Sequence, residues 1–203
     1  MMPQPDGIMN HDTYDDSYIR GILNTVKTIA MVGASAKDNR PSYFAFKYLS
    51  ERGYNMIPIN PGLAGKQLLG KTIYGRLSEV PEPIDMVDIF RAANYAVPIV
   101  QEALTLTPKP RVIWMQLTVR NDEAAALSEQ NGMKVVMNRC PKIEYGRLSS
   151  EISWMGINSR TLSSKRARVL GGGVQRMSLN RSTLAGGSTD AASRAEKSDS
   201  STS

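Results

Sequence analysis

Two residue types are nearly missing from this chain. Among 203 residues there is one histidine, His11, and one cysteine, Cys140. A lone cysteine excludes an internal disulfide framework and any multi-cysteine metal site. A lone histidine excludes the His clusters of zinc sites and leaves little from which to build a Ser-His-Asp triad. No apolar run approaches the roughly 20 residues of a membrane span. Apolar residues still make up 41% of the chain and charged residues only 22%, so disorder throughout is excluded. The length suits one ordinary domain with appendages, since domains run about 100–200 residues.

The net charge of +6 is unevenly spread. Residues 1–160 carry 18 Lys and Arg against 16 Asp and Glu, while residues 161–203 carry 7 against 3. The part able to fold is nearly neutral, which weakens any argument for nucleic-acid binding from the overall basicity. The first residues, MMPQPDGIMNHDTYDD, are acidic and lack an apolar core, unlike a secretory signal or a transit peptide. A cytoplasmic protein is expected.

Residues 1–12 read as a flexible leader, with His11 lacking an evident partner. Ile19, Ile22, Leu23 and Val26 recur at helical spacing, predicting a helix over 14–25. The continuous apolar run 28–32 ends in Gly33 and suits a strand buried on both faces. Pro41 can open the helix that follows, and Gly53 can end it. Residues 55–59 form a second strand, in which Pro58 suggests a strand end or an irregularity. A short strand is expected at 73–74 and a helical turn at 76–80. Strands at 84–90, 111–117 and 134–137 then alternate with helices at 94–105 and 121–130, the latter capped by Asn121. No internal repeat is visible. Alternation over about 110 residues predicts a doubly wound α/β domain with a mainly parallel five-stranded sheet and helices on both faces. From Ser163 onward Gly, Ser and charge dominate, so 163–203 is expected to be a disordered basic tail and 13–162 the domain.

In such a sheet, ligands sit beyond the carboxyl ends of the strands. The first strand leads through the loop ASAKDNRPS into a helix N-terminus, whose free N–H groups favour an anion. Ser35 and Ser42 add hydroxyls; Lys37 and Arg40 add charge. A phosphate-bearing ligand follows. The loop holds one glycine, Gly33, where the dinucleotide fingerprint requires three, and Asn60 stands where NAD binding usually places an acid. Both departures count against NAD and leave NADP open.

Four collinear stretches then become specific: TIAMVGASAKDNRPSYFAFKYLSERGYNMIPINPG, LLGKTIYGRLSEVPEPIDMVDIFR, VIWMQLTVRNDEAA and VMNRCPKIEYGRL. Together they resemble the CoA-binding protein family of the YccU type over roughly residues 14–160. The domain is similar to the CoA-binding domain of succinyl-CoA synthetase α subunits. The resemblance implies a Rossmann-like fold with coenzyme A or an acyl-CoA over the strand ends, and a carrier, sensor or regulatory role rather than a reaction. It places Gly33, Ala34, Ser35, Arg40 and Ser42 against the phosphates, with Lys37 a weaker member. Asn60 and Pro61 are implied near the adenosine; Phe90, Arg91, Met115 and Gln116 end strands at the same edge. A lysine that contacts phosphate in the synthetases is replaced here by Leu63, with Lys66 nearby, so that contact does not transfer. Those enzymes also use a phosphohistidine in a second domain, for which these 203 residues offer no counterpart.

Cys140 lies at the same edge, where Arg139 and Lys142 would lower its pKa and make it a reactive thiol. The favoured reading is a small, buried and inert residue, since free cysteine is among the most buried residue types. Asp85 and Asp88 point to opposite strand faces and form no acid/base pair. Glu144 suits an ion pair with Arg147 or Lys142, and Trp114 suits the core. No catalytic or metal-binding residue is assigned. The rivals are an NADP-dependent oxidoreductase and a nucleic-acid module working through the tail's Lys165-Arg166-Ala167-Arg168, which lacks aromatics for stacking. A small-molecule ligand is the expected partner. A protein partner and a homodimer are both compatible with the sequence, and neither is demanded by a residue.

Overall fold

A computed structural model describes residues 9–149. The expected tail and the last stretch of the expected domain lie outside these residues. In chain order the elements are α1 (Asp16–Thr25), β1 (Thr28–Val32), α2 (Pro41–Glu51), β2 (Asn55–Ile59), β3 (Gln67–Leu68), β4 (Lys71–Thr72), β5 (Met86–Ile89), α3 (Ala96–Thr105), β6 (Val112–Met115), α4 (Asp122–Gln130), β7 (Lys134–Val136) and α5 (Pro141–Leu148). Five strands form one sheet in the order β2-β1-β5-β6-β7, all parallel. The fold is the expected α/β Rossmann-like sheet.

The strands read as unbroken apolar runs because both faces are covered. Ile29, Met31, Met56, Met86 and Trp114 pack with Ile19, Ile22, Phe46 and Leu49 of α1 and α2. Ala30, Val32, Ile57, Val87 and Ile113 pack on the other face with Ile99, Val100, Ala124 and Ala125 of α3 and α4. Each strand thus feeds two cores by simple alternation. Trp114 is fully buried, as expected, and its Nε1–H donates to the Arg139 carbonyl at 2.8 Å.

The helix ends follow local chemistry. Asn121 Oδ1 accepts the Ala124 N–H at 2.8 Å, and Asp122 and Glu123 occupy the positive end of α4. Pro41 opens α2 at a position that needs no N–H. α1 starts at Asp16, two residues later than expected, since Asp15 before it is extended (φ −65°, ψ 142°); the Tyr14 hydroxyl accepts the Met137 N–H at 2.7 Å.

Several expectations are corrected. Pro58 causes no irregularity: β2 is the edge strand, and the missing N–H belongs to the side facing away from β1, where the Pro58 carbonyl accepts from Tyr74. The short strand expected at 73–74 falls at β4, paired antiparallel with β3, and Tyr74 makes a lone parallel bridge to Ile59. His11 does have partners. It is 4% exposed, with Nδ1 2.8 Å from the Tyr14 hydroxyl and Nε2 3.2 Å from Glu129 Oε1. α5 has no counterpart in the sequence reading; its Glu144 meets Arg147, as expected, and Arg147 also reaches Asp16 of α1.

Candidate functional site

The chain steps from β1 outward to β2 on one side and to β5 on the other. That reversal of strand order leaves a crevice beyond the carboxyl ends of β1, β2 and β5. Gly33 sits at its centre with φ +95°. A β-carbon there would lie 2.6 Å from the Phe90 carbonyl oxygen and 3.0 Å from Arg91 Cδ. Only glycine lets the turn pass under the end of β5.

The loop after Gly33 differs from the expected anion cradle at its start. The N–H groups of Gly33 and Ala34 both donate to the Ile59 carbonyl, at 2.9 and 3.3 Å, so neither is free for a ligand. Ala34 is fully buried and packs in the core under α2, and Ser42 is 5% exposed. Lys37 and Arg40 are exposed, and Ser35 Oγ accepts the Lys37 N–H at 3.2 Å. These last three remain accessible at the entry to α2. Asn60 is committed as well: its Oδ1 accepts the Gly62 N–H, and its Nδ2–H donates to the Ala34 carbonyl at 2.7 Å. It ties the end of β2 to the first turn instead of presenting a free amide.

A cavity of about 400 Å³ opens on the α3 side of this turn. Val32, Ile59, Leu77 and Ile99 supply its apolar floor, and Gly33, Pro61 and Gly75 border it without long side chains. Arg76, Arg91, Tyr95 and Glu102 line the rest. The Arg91 guanidinium lies over the Tyr95 ring, 4.5 Å from its centroid. Glu102 Oε1 accepts from the Ser78 N–H and hydroxyl at 3.2 and 3.1 Å. A pocket of this size with an apolar floor and few polar groups has the dimensions of a small-molecule site.

Of the expected residues, Gly33, Pro61 and Arg91 line this cavity. Phe90 does not line it; its carbonyl lies against the Gly33 turn. Gly75, Arg76, Tyr95 and Glu102 were not anticipated. Arg76 reaches the rim because Tyr74 is laid beside the end of β2, with the Asn60 N–H donating to the Tyr74 carbonyl at 2.8 Å. No local sequence pattern announces such a single-residue pairing.

On the other face of the same edge lies a buried polar group of three. Asp88 is fully buried, and Gln116 Nε2 donates to its two oxygens at 3.0 and 3.3 Å. Burial pushes the Asp88 carboxyl up to about 8, against the pull of the Gln116 hydrogen bond. Cys140 is 1% exposed. Burial pushes its thiol up to about 11, and nearby Asp88 adds to the rise; the N–H groups of α5 and the Lys142 charge pull the other way and lose. Of the two readings of Cys140, the small, buried and inert one agrees with this burial, and the reactive thiol does not. Met115 ends β6, as expected, and its side chain is fully buried in the core under α3 and α4.

Comparison with known proteins adds an independent line. Residues 27–146 match the model of a family described as a CoA binding domain. The protein YneT of Bacillus subtilis is 35% identical over 127 residues, covering 63% of this chain and 91% of YneT. Among solved structures, cell-free ID.343 from Thermus thermophilus superposes with a TM-score of 0.62 at 34% identity, covering 66% of this chain and 99% of that one. A protein from Pyrococcus horikoshii OT3 superposes with a TM-score of 0.64 at 34% identity, covering 73% and 99%.

Proposed function

The chain belongs to the CoA binding domain family, and on that premise we propose that it binds coenzyme A or an acyl-CoA at the carboxyl edge of its sheet. The observation that carries this reading is the cavity beside Gly33, with an apolar floor and two arginines. The residues fit the group. Val32 and Ile99 line the cavity's apolar side, and Pro61 borders it beside the end of β2, where a purine would pack. Ser35, Lys37 and Arg40, at the entry to α2, supply a hydroxyl and two cations for the diphosphate. Arginine there can grip phosphate oxygens through two parallel hydrogen bonds.

Coenzyme A, when bound, supplies a thiol that carries acyl groups. Three groups near this edge that could act as acid, base or nucleophile are occupied with holding the fold: Asp88 is sealed with Gln116, Cys140 is buried, and Glu144 is paired with Arg147. This favours a carrier, sensor or regulatory module over a catalyst. Among the described residues no helix is long and apolar enough to cross a membrane.

Calorimetric titration of ligand-stripped protein with coenzyme A, and separately with NADP, tests the reading. Saturable coenzyme A binding, with NADP at least about tenfold weaker, is expected; tenfold corresponds to about 1.4 kcal/mol. Tighter NADP binding, or no binding of coenzyme A, contradicts it.

A further inference from the structure

Arg76 lies outside every stretch assigned above to the phosphates. It is exposed on the cavity side of the turn that follows Tyr74. Among the described residues it has neither an ion-pair nor a hydrogen-bond partner for its side chain. Arg91, on the same cavity, makes no ion pair among them either; its guanidinium rests on the Tyr95 ring. Stacking uses the flat face of the guanidinium and leaves its N–H edge free to donate.

The carboxylates near this pair form no ion pair with it among the described residues. Glu102 lines the cavity, but its Oε1 is held by the Ser78 N–H and hydroxyl. Glu79 Oε2 accepts the Gly75 N–H at 2.8 Å. Two guanidinium groups therefore share one cavity with a single carboxylate. A guanidinium left without a carboxylate beside an apolar floor suits an anion of the ligand, and two of them suit a doubly charged one.

We infer that Arg76 and Arg91 form a clamp for a phosphate monoester on the ribose of the bound nucleotide. They would be distinct from Ser35, Lys37 and Arg40, which face the other side of the Gly33 turn at the entry to α2. The inference rests on the coenzyme A reading and refines it. The cavity then selects coenzyme A, which carries a ribose 3′-phosphate, over dephospho-coenzyme A, which lacks one. Arg76 is the specificity-determining member, because its side chain has no other task in the fold.

The test is calorimetric titration of the full chain, of Arg76→Ala, of Arg91→Ala and of the double variant, each with coenzyme A and with dephospho-coenzyme A. Thermal midpoints are compared first, to establish that the variants fold. Arg76→Ala is expected to weaken coenzyme A by about 10- to 100-fold, the range of a charged hydrogen bond, and to change dephospho-coenzyme A by less than about twofold. The two substitutions should be non-additive with coenzyme A and additive with the dephospho form. Equal losses for both ligands, or no loss for either, overturn the clamp while leaving coenzyme A binding intact. A full chain that binds neither ligand overturns the clamp and the functional reading together.

Discussion

Gly33 passes so close to Phe90 that a β-carbon on residue 33 would stand 2.6 Å from the Phe90 carbonyl oxygen. The backbone fixes both the β-carbon and the Phe90 carbonyl, so no rotamer change relieves the contact. Gly53 has a similar φ, +88°, yet meets nothing within 4 Å. Gly53→Ala is therefore expected to cost only its backbone strain, about 1 kcal/mol. Gly33→Ala should cost at least about 2 kcal/mol more and should impair ligand binding, because the turn or the end of β5 must shift. Denaturant unfolding of the two variants measures the difference. Equal costs would mean that β5 yields freely.

Asp88 gives the fold a dependence on pH of unusual sign. Its folded pKa is raised to about 8 from the ordinary 3.8. Between those values the folded state holds a proton that the unfolded chain releases. Stability contributed by the protonated acid is therefore complete below about pH 4 and is lost as pH rises toward 8, with a slope of up to about 1.4 kcal/mol per pH unit. Asp88→Asn should abolish that slope and unfold less readily at pH 8 than the parent protein. Parallel stability curves for parent and variant across pH 5–8 would show that Asp88 titrates normally.

Tyr14 fastens the segment before α1 to the end of β7. Its hydroxyl accepts the Met137 N–H at 2.7 Å and meets His11 Nδ1 at 2.8 Å. Since the tyrosine proton is then free for Nδ1, one hydroxyl serves both neighbours. Tyr14→Phe strands a buried N–H and should cost about 1–3 kcal/mol. A thermal midpoint unchanged from the parent would show that water replaces the hydroxyl at no cost.

Cys140, 1% exposed and with its thiol raised to about 11, should resist modification. In the native protein at pH 8, reaction with a disulfide reagent should be at least about 100-fold slower than in denaturant, since both thiolate fraction and access are reduced. Native labelling at the rate of a free thiol would return Cys140 to the list of reactive groups.

The sheet was legible because its strands are long apolar runs separated by turn signals, and because Asn121 and Pro41 mark helix starts by their own chemistry. The β3–β4 hairpin was not. Its strands are two residues long, and the exposed Leu69 holds φ +48° in a turn where asparagine or glycine is the usual signal. α5 was missed because its eight residues carry little apolar periodicity. At the site, the Gly33 turn could be read from its motif, whereas the commitment of Asn60 to the Ala34 carbonyl depends on how β2 ends beside β1. Arg76 depends on the pairing of Tyr74 with Ile59. Such relations join distant segments one residue at a time, and no window of sequence contains them.

Coenzyme A is proposed to lie on the carboxyl edge of β1, β2 and β5. Amide chemical-shift mapping of isotope-labelled protein titrated with coenzyme A locates it residue by residue. Saturating shifts are expected in the Gly33–Arg40 loop, the Asn60 turn, Gly75 and Arg76, and Arg91 through Tyr95, and not elsewhere. Saturating shifts centred on the opposite edge of the sheet, or none at all, would contradict this placement.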